Sequence, residues 1–434
     1  MEITTYVDRD IFLISGVRGR MILDSRGNPT VEVEIRTYGG GLGRAAAPAG
    51  ASKGKWEAVE RRDTSDKRYM GKGVYSVVRI VNKVLRPLLK GMDSRKQRKI
   101  DSILIRKDGT ENKSRLGANT TIATSLAVAK AAANTYGLPL FRYIGGINAN
   151  ILPTPLMNII NGGKHAGNKL SIQEFMIVPI GADKFSDALR IGCEVYYSLK
   201  EILKEKYGRS AINVGDEGGF SPPMETTREA LNALLMAIER AGYSEESVKL
   251  ALDCAASTFY NEEEEKYSID GKKLDKGSLI DFYKELCNEF PLISIEDPLH
   301  EEDFDGFAEL TGTLKNILVV GDDLFVTNPN RLKRGIDMGA GNAILIKPNQ
   351  IGTLTETLDV VQMARLNNYK TIISHRSGET EDTTIADLSV GLSTGIIKTG
   401  APARGERTAK YNRLLRIEEM LGPSARFLGI NAFR

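Results

Sequence analysis

The chain has 434 residues, 41% hydrophobic and 26% charged, with 59 basic against 56 acidic side chains for a net charge of +3. That length supports two domains and a large core, and charge spread so evenly is no electrostatic footprint for nucleic acid or a membrane surface. Cys193, Cys254 and Cys287 lie far apart and form no C-x-x-C pair, so they suggest neither a disulfide framework nor a zinc site and fit a reducing cytoplasm.

Asp8, Arg9 and Asp10 precede any apolar run, and no membrane-length apolar stretch follows, so neither a signal peptide nor a membrane span is expected. Ile11 to Leu23 leads into the turn cluster DSRGNPT. Val31, Val33 and Ile35 then alternate with charges, as in a half-buried antiparallel strand, and the GGGLG run reads as a hairpin. Gly50 to Gly54, with Ser52 and Lys53, forms a donor-rich loop that could close over an anion or be only a turn. Residues 57 to 105 carry helical periodicity with many charges. LGANTTIATSLAVAKAAANTYGLPL is an alanine-rich helix ended by Gly137 and Pro139, whose small residues predict close packing. Residues 1–140 therefore read as an α+β domain, and 141–434 as a second domain.

From there, short apolar strands alternate with capped helices. VKLALDC ends near Asp253, PLISIEDP near Glu296, ILVVGDD at Asp322 and Asp323, AILIKP at Lys347, YKTIISHRSGET at His375 and GIIKTGAP at Lys398. Helices are predicted over Glu302 to Leu310, Pro329 to Met338, Leu354 to Leu366, Thr383 to Leu392 and Arg407 to Leu421. Thr353 and Glu356 make a capping box for the third of these, a few loop residues after Lys347. The period of about 25 residues predicts an α/β barrel of βα units, in which strand C-termini converge on one mouth. One charged strand tip is unremarkable; six in succession point to a site.

Asp253, Glu296 and Asp322 would place three carboxylates around one point with no imidazole or thiolate among them, a donor set that suits magnesium or manganese. The competing reading is a salt-bridge ring with Lys347 and Lys398. Beside a dication a lysine loses stability in its charged form, so Lys347 or Lys398 could take a proton from carbon next to a carboxylate. Earlier loops add His165, then Gln173 and Glu174 on a strand, and Asp216 and Glu217 in the glycine-flanked INVGDEGGF. SHRSGET adds Arg376 and Ser377, a guanidinium and a hydroxyl suited to phosphate.

ILIKPNQIGTLTET, GDEGGF, SIEDP, GDDLFVTNP, SHRSGET and IKTGAPARGER, with DSRGNPT, the GAS loop, LGAN and KHAGNKL, make essentially the whole chain similar to the enolase family. The resemblance implies a TIM-like (β/α)8 barrel that begins ββαα before six βα units, capped by the N-terminal α+β domain. It implies reversible dehydration of 2-phosphoglycerate to phosphoenolpyruvate, with two Mg2+ ions and a homodimer or larger homo-oligomer. By resemblance, Lys347 matches the general base and Glu217 the acid. Asp253, Glu296 and Asp322 match ligands of the first magnesium, and Ser52 of the second. Gln173, Arg376, Ser377 and Lys398 match substrate contacts, and His165, Glu174 and His375 line the site. Lys53 stands where the family has threonine and Trp56 where histidine is frequent, which bears on closure of the loop. A superfamily member acting on a carboxylate without phosphate, and a non-catalytic paralogue, are the alternative readings.

Overall fold

The computed structural model describes residues 9–50, 54–163 and 166–434. The expectations placed on Ser52, Lys53 and His165 lie outside the described residues.

Three strands open the chain as an antiparallel meander, β1 Ile14–Leu23, β2 Pro29–Thr37 and β3 Leu42–Ala46. Val31, Val33 and Ile35 are fully buried, as their alternation predicts. The opposite face of β2 is not left to water. Glu34 is buried under Arg44, which faces it across β3, and Arg20 and Arg36 also donate to its carboxylate. Long arginine stems laid over a carboxylate hide a charged strand face that alternation alone assigns to solvent.

Helix α2 Ala118–Thr135 backs this sheet, and α1 Gln97–Asp108 packs against α2. A Cβ at Gly43 would sit 1.9 Å from the carbonyl oxygen of Ala127, so the alanine-rich helix and the glycine-rich hairpin touch backbone to backbone. The helical reading of residues 57 to 105 holds only in its later part. No α-helix occurs from 57 to 74. The segment instead runs as a strap, with Ala58 N donating to Gln350 O, Val59 N to Asn112 O and Ala118 N to Val59 O. These tertiary partners satisfy the backbone that a helix would have satisfied internally.

The remainder closes into an eight-stranded barrel: β4 Thr154–Asn161, β5 Glu174–Pro179, β6 Val248–Asp253, β7 Leu292–Glu296, β8 Leu318–Gly321, β9 Ala343–Ile346, β10 Lys370–Ser374 and β11 Ile396–Lys398. β5 runs antiparallel to both neighbours, the other pairs are parallel, and Phe185–Tyr207 and Thr227–Arg240 follow β5 as consecutive helices. This is the ββαα(βα)6 order. Both strand faces are buried: Leu156, Met176, Ala251, Val320, Leu345 and Ile372 fill the barrel, while Ile344, Ile346, Ile373 and Ile397 face the helices. Double burial is why these strands read as continuous apolar runs. Among the described residues, no helix is long and apolar enough to cross a membrane.

The connection after β9 differs from the expected loop. Lys347 caps a single helical turn, Pro348–Ile351, before α3 Leu354–Leu366 begins. Only half of the capping box forms. Thr353 Oγ1 accepts from Glu356 N, but the Glu356 carboxylate takes the Thr353 hydroxyl and the Lys113 ammonium instead of a backbone N–H. The other free N–H groups of α3 are served from the N-terminal region: Ser125 Oγ accepts from Leu354 N at 3.0 Å and Asp101 Oδ2 from Thr355 N at 3.0 Å. The helix behind Lys347 is thus capped across the domain boundary.

Candidate active site

The barrel topology gathers the charges. Asp253 and Glu296 end adjacent parallel strands and are register partners, and Asp322 directly follows β8. Because β5 runs the other way, it is its first residue, Glu174, together with the preceding Gln173, that reaches the same mouth. Lys398 ends β11 and lies among them, with Nζ 2.8 Å from Glu296 Oε2, 2.9 Å from Asp253 Oδ2 and 3.2 Å from Glu174 Oε1. All four residues are buried. Burial works against the Lys398 charge, but the three carboxylates outweigh it and hold the ammonium well above its ordinary range. Burial, reinforced by like-charged neighbours, pushes Glu174 and Glu296 well above the ordinary carboxylate range.

Lys347 donates to Asp322 Oδ2 through Nζ and to Thr327 Oγ1 through its backbone N–H. The Thr327 hydroxyl then donates to Gln350 Oε1, and Gln350 Nε2 returns to Asp322 Oδ1 at 3.0 Å and reaches Glu57 Oε1 at 3.3 Å. The ring fixes both the lysine and the carboxylate. Asp297, at φ 41°, accepts from the backbone N–H groups of Asp322 and Asp323 and shapes the turn that presents them. The neutral lysine expected beside a dication is not what the chain's own groups produce. Burial opposes the charge on Lys347, yet Asp322 prevails and raises it above the ordinary lysine range.

On the opposite side, the turn around Gly218 (φ 87°) carries Glu217. Glu217 Oε2 accepts from Asn158 Nδ2 at 3.0 Å, and His375 Nε2 stands 3.7 Å from it. Burial drives His375 well below its ordinary value, the nearby Arg407 adding to this against the pull of Glu217. Arg376 makes a two-point pair with Glu57, at 2.9 and 3.0 Å. Arg407 is wholly buried. Its NH1 donates to His375 Nδ1 at 2.5 Å and Arg376 O at 2.6 Å, and its NH2 to Ser377 O at 2.6 Å and Asp216 O at 3.0 Å.

One cleft is lined by Gln173, Glu174, Glu217, Asp253, Asp322, Lys347, His375, Arg376, Ser377 and Lys398. Glu296 reaches it through Lys398. The ligand atoms of Asp253, Glu296 and Asp322 do not all come within 4.8 Å of one another: Lys398 bridges the first two and Lys347 pairs with the third. Among the described residues, the acidic groups with ligand atoms within 4.8 Å of one another are Asp297–Asp322–Asp323 and Glu174–Glu217–His375. The residues nevertheless fit a hard dication. The donors are oxygen only, two ammonium groups now neutralise them, and Glu296 Oε1 is buried with no hydrogen-bond partner. Sequence reading missed Glu57, Asn158, Asp297, Gln350 and Arg407. Asp297 and Gln350 stand one and three residues past charged strand tips and were findable there; Glu57 comes from the strap and has no local signal.

Family models described as "Enolase, N-terminal domain" and "Enolase, C-terminal TIM barrel domain" match residues 14–144 and 149–434. The chain is 59% identical over 413 residues to the enolase of Methanocaldococcus jannaschii, covering 95% of this chain and 96% of the relative. It is 58% identical to the enolases of Methanococcus aeolicus, over 95% of this chain and 96% of the relative, and of Pyrococcus furiosus, over 96% and 97%.

Proposed function

The chain belongs to the enolase family, a hydro-lyase for the reversible dehydration of 2-phosphoglycerate to phosphoenolpyruvate, and we propose that Lys347 is its general base and Glu217 its general acid. The observation that carries these roles is that the two groups reach one cleft from separate supports, Lys347 from the end of β9 and Glu217 from the turn around Gly218. A substrate between them loses the C2 proton to Lys347 Nζ, and the electron pair passes toward the substrate carboxylate. The C3–O bond then breaks as Glu217 protonates the departing hydroxyl, leaving the C2=C3 double bond and water.

Lys398 orients the substrate carboxylate, and Arg376 and Ser377 hold the phosphate, with Arg376 exchanging or sharing its pairing with Glu57. Gln173, Glu174 and His375 line the site, and the enolase likeness assigns the same role to His165. Asp253, Glu296 and Asp322 would hold one magnesium and Ser52 would help hold a second. Bound there, magnesium would supply positive charge to offset the charge building on the substrate carboxylate and would compete with the lysine ammonium groups for the same protein carboxylates, which would favour a neutral base. We further propose a division into domains near residue 140, a homodimer or larger homo-oligomer and a cytoplasmic setting. The test is the ultraviolet absorbance of the enol product with 2-phosphoglycerate. Absorbance should rise with magnesium, stop with chelator and return when magnesium is restored; no rise with magnesium present would defeat the reading.

A further inference from the structure

We propose that Arg407 is a positioning residue that fixes His375 as the neutral tautomer protonated on Nε2, so that the ring presents a hydrogen-bond donor to the Glu217 side of the cleft. A guanidinium carries donors only. Each of the four terminal hydrogens of Arg407 has one partner: His375 Nδ1, Arg376 O, Ser377 O and Asp216 O. The group is wholly buried and cannot turn without breaking several of these bonds. Nδ1 must therefore be the acceptor, and in a neutral ring the proton lies on Nε2. An imidazolium would set an Nδ1–H against a guanidinium N–H, consistent with the downward shift of His375.

The proton so placed lies on the nitrogen 3.7 Å from Glu217 Oε2, and Nε2 has no hydrogen-bond partner among the described residues. A substrate hydroxyl entering this gap would accept from Nε2–H while taking its proton from Glu217. His375 thus steadies the departing oxygen and cannot compete as a base. With no lone pair on Nε2, His375 also cannot ligate a cation, so the Glu174–Glu217–His375 cluster is not a metal site. This inference rests on the assignment of Glu217 as the acid.

The chain has three histidines, so two-bond proton–nitrogen correlation spectra of the magnesium-loaded enzyme resolve each ring, with His375→Gln identifying its own. The expected spectrum has Nδ1 bare and Nε2 protonated at neutral pH, unchanged in Glu217→Gln. Nδ1–H or a charged ring would overturn the proposal, as would a folded Arg407→Lys enzyme that keeps the single tautomer. Should Arg407→Lys fail to fold, the histidine variants decide. The amide nitrogen of Gln reaches the position of Nε2, whereas Asn reaches only that of Nδ1, so His375→Gln should keep at least about tenfold more kcat than His375→Asn, with little change in KM. Equal losses would sink the donor role. If Glu217→Gln still forms product, the acid assignment fails while the tautomer result stands; an Nδ1–H ring alongside an inactive Glu217→Gln enzyme means the reverse.

Discussion

Replacing Asp101 should weaken the joint that holds the helix behind Lys347. Asp101 is wholly buried in α1, and its Oδ2 accepts from both Thr355 N at 3.0 Å and Thr355 Oγ1 at 2.6 Å, while Gln97 Nε2 donates to the same carboxylate. It thus caps α3 from another part of the chain. Asp101→Ala removes a cap, worth about 1 kcal/mol. It also removes a negative charge from a helix N-terminus, worth about 0.5 kcal/mol, and strands a Thr355 hydroxyl, which costs about 1 kcal/mol more. The expected loss is therefore about 2–3 kcal/mol, against about 1 kcal/mol for Asp101→Asn, which keeps an acceptor oxygen. Urea unfolding followed by far-ultraviolet circular dichroism measures it. Trp56, the only tryptophan and hydrogen-bonded to Glu302 of the barrel, gives a second, local probe. A cycle with Thr355→Ala should show coupling of about 1 kcal/mol. A loss below about 0.5 kcal/mol for Asp101→Ala, or strict additivity with Thr355→Ala, would refute the cross-domain cap.

The two proton transfers should separate by mutation. Lys347→Ala should abolish both product formation and exchange of the substrate C2 hydrogen with deuterated solvent, by about a hundredfold or more, whereas Glu217→Gln should lose product formation and keep exchange; wild-type exchange in Lys347→Ala would reverse the roles. Arg376→Lys keeps the charge but loses the fork that now grips Glu57 at two points, so KM for 2-phosphoglycerate should rise, and unchanged kinetics would remove Arg376 from the phosphate site. At Glu34, burial raises the carboxyl but hydrogen bonds from Arg20, Arg44 and Arg36 outweigh it and hold the group at about 2 against an ordinary 4.5. A depressed folded-state value stabilises above the ordinary value and fades as pH falls toward the folded one. Glu34→Gln should therefore be less stable than the parent at neutral pH, with the gap closing between pH 4.5 and 2; a gap that does not change with pH would show that the charge is not what matters.

The barrel and most of its mouth are legible in the chain because its strands are buried on both faces. Their sequences are apolar throughout, and an ionisable residue at the tip stands out against that background, as at Asp253, Glu296, Lys347 and Lys398. What no local pattern contains is pairing between distant segments. Glu57 lies in a strap whose charge spacing mimics a helix, but the strap's backbone partners, Gln350 after β9 and Asn112 in the N-terminal region, are distant in sequence and meet it only in the tertiary structure. Arg407 has the pattern of a helix start, yet it folds inward and stitches the Glu217 turn to the loop of His375 and Arg376. Which cation neutralises which carboxylate was also decided by tertiary structure alone. Lys398 pairs with Asp253 and Glu296 while Lys347 takes Asp322, because barrel closure sets β11 opposite β6 and β7, and Coulomb energy in a buried mouth depends on those few ångströms and not on spacing along the chain.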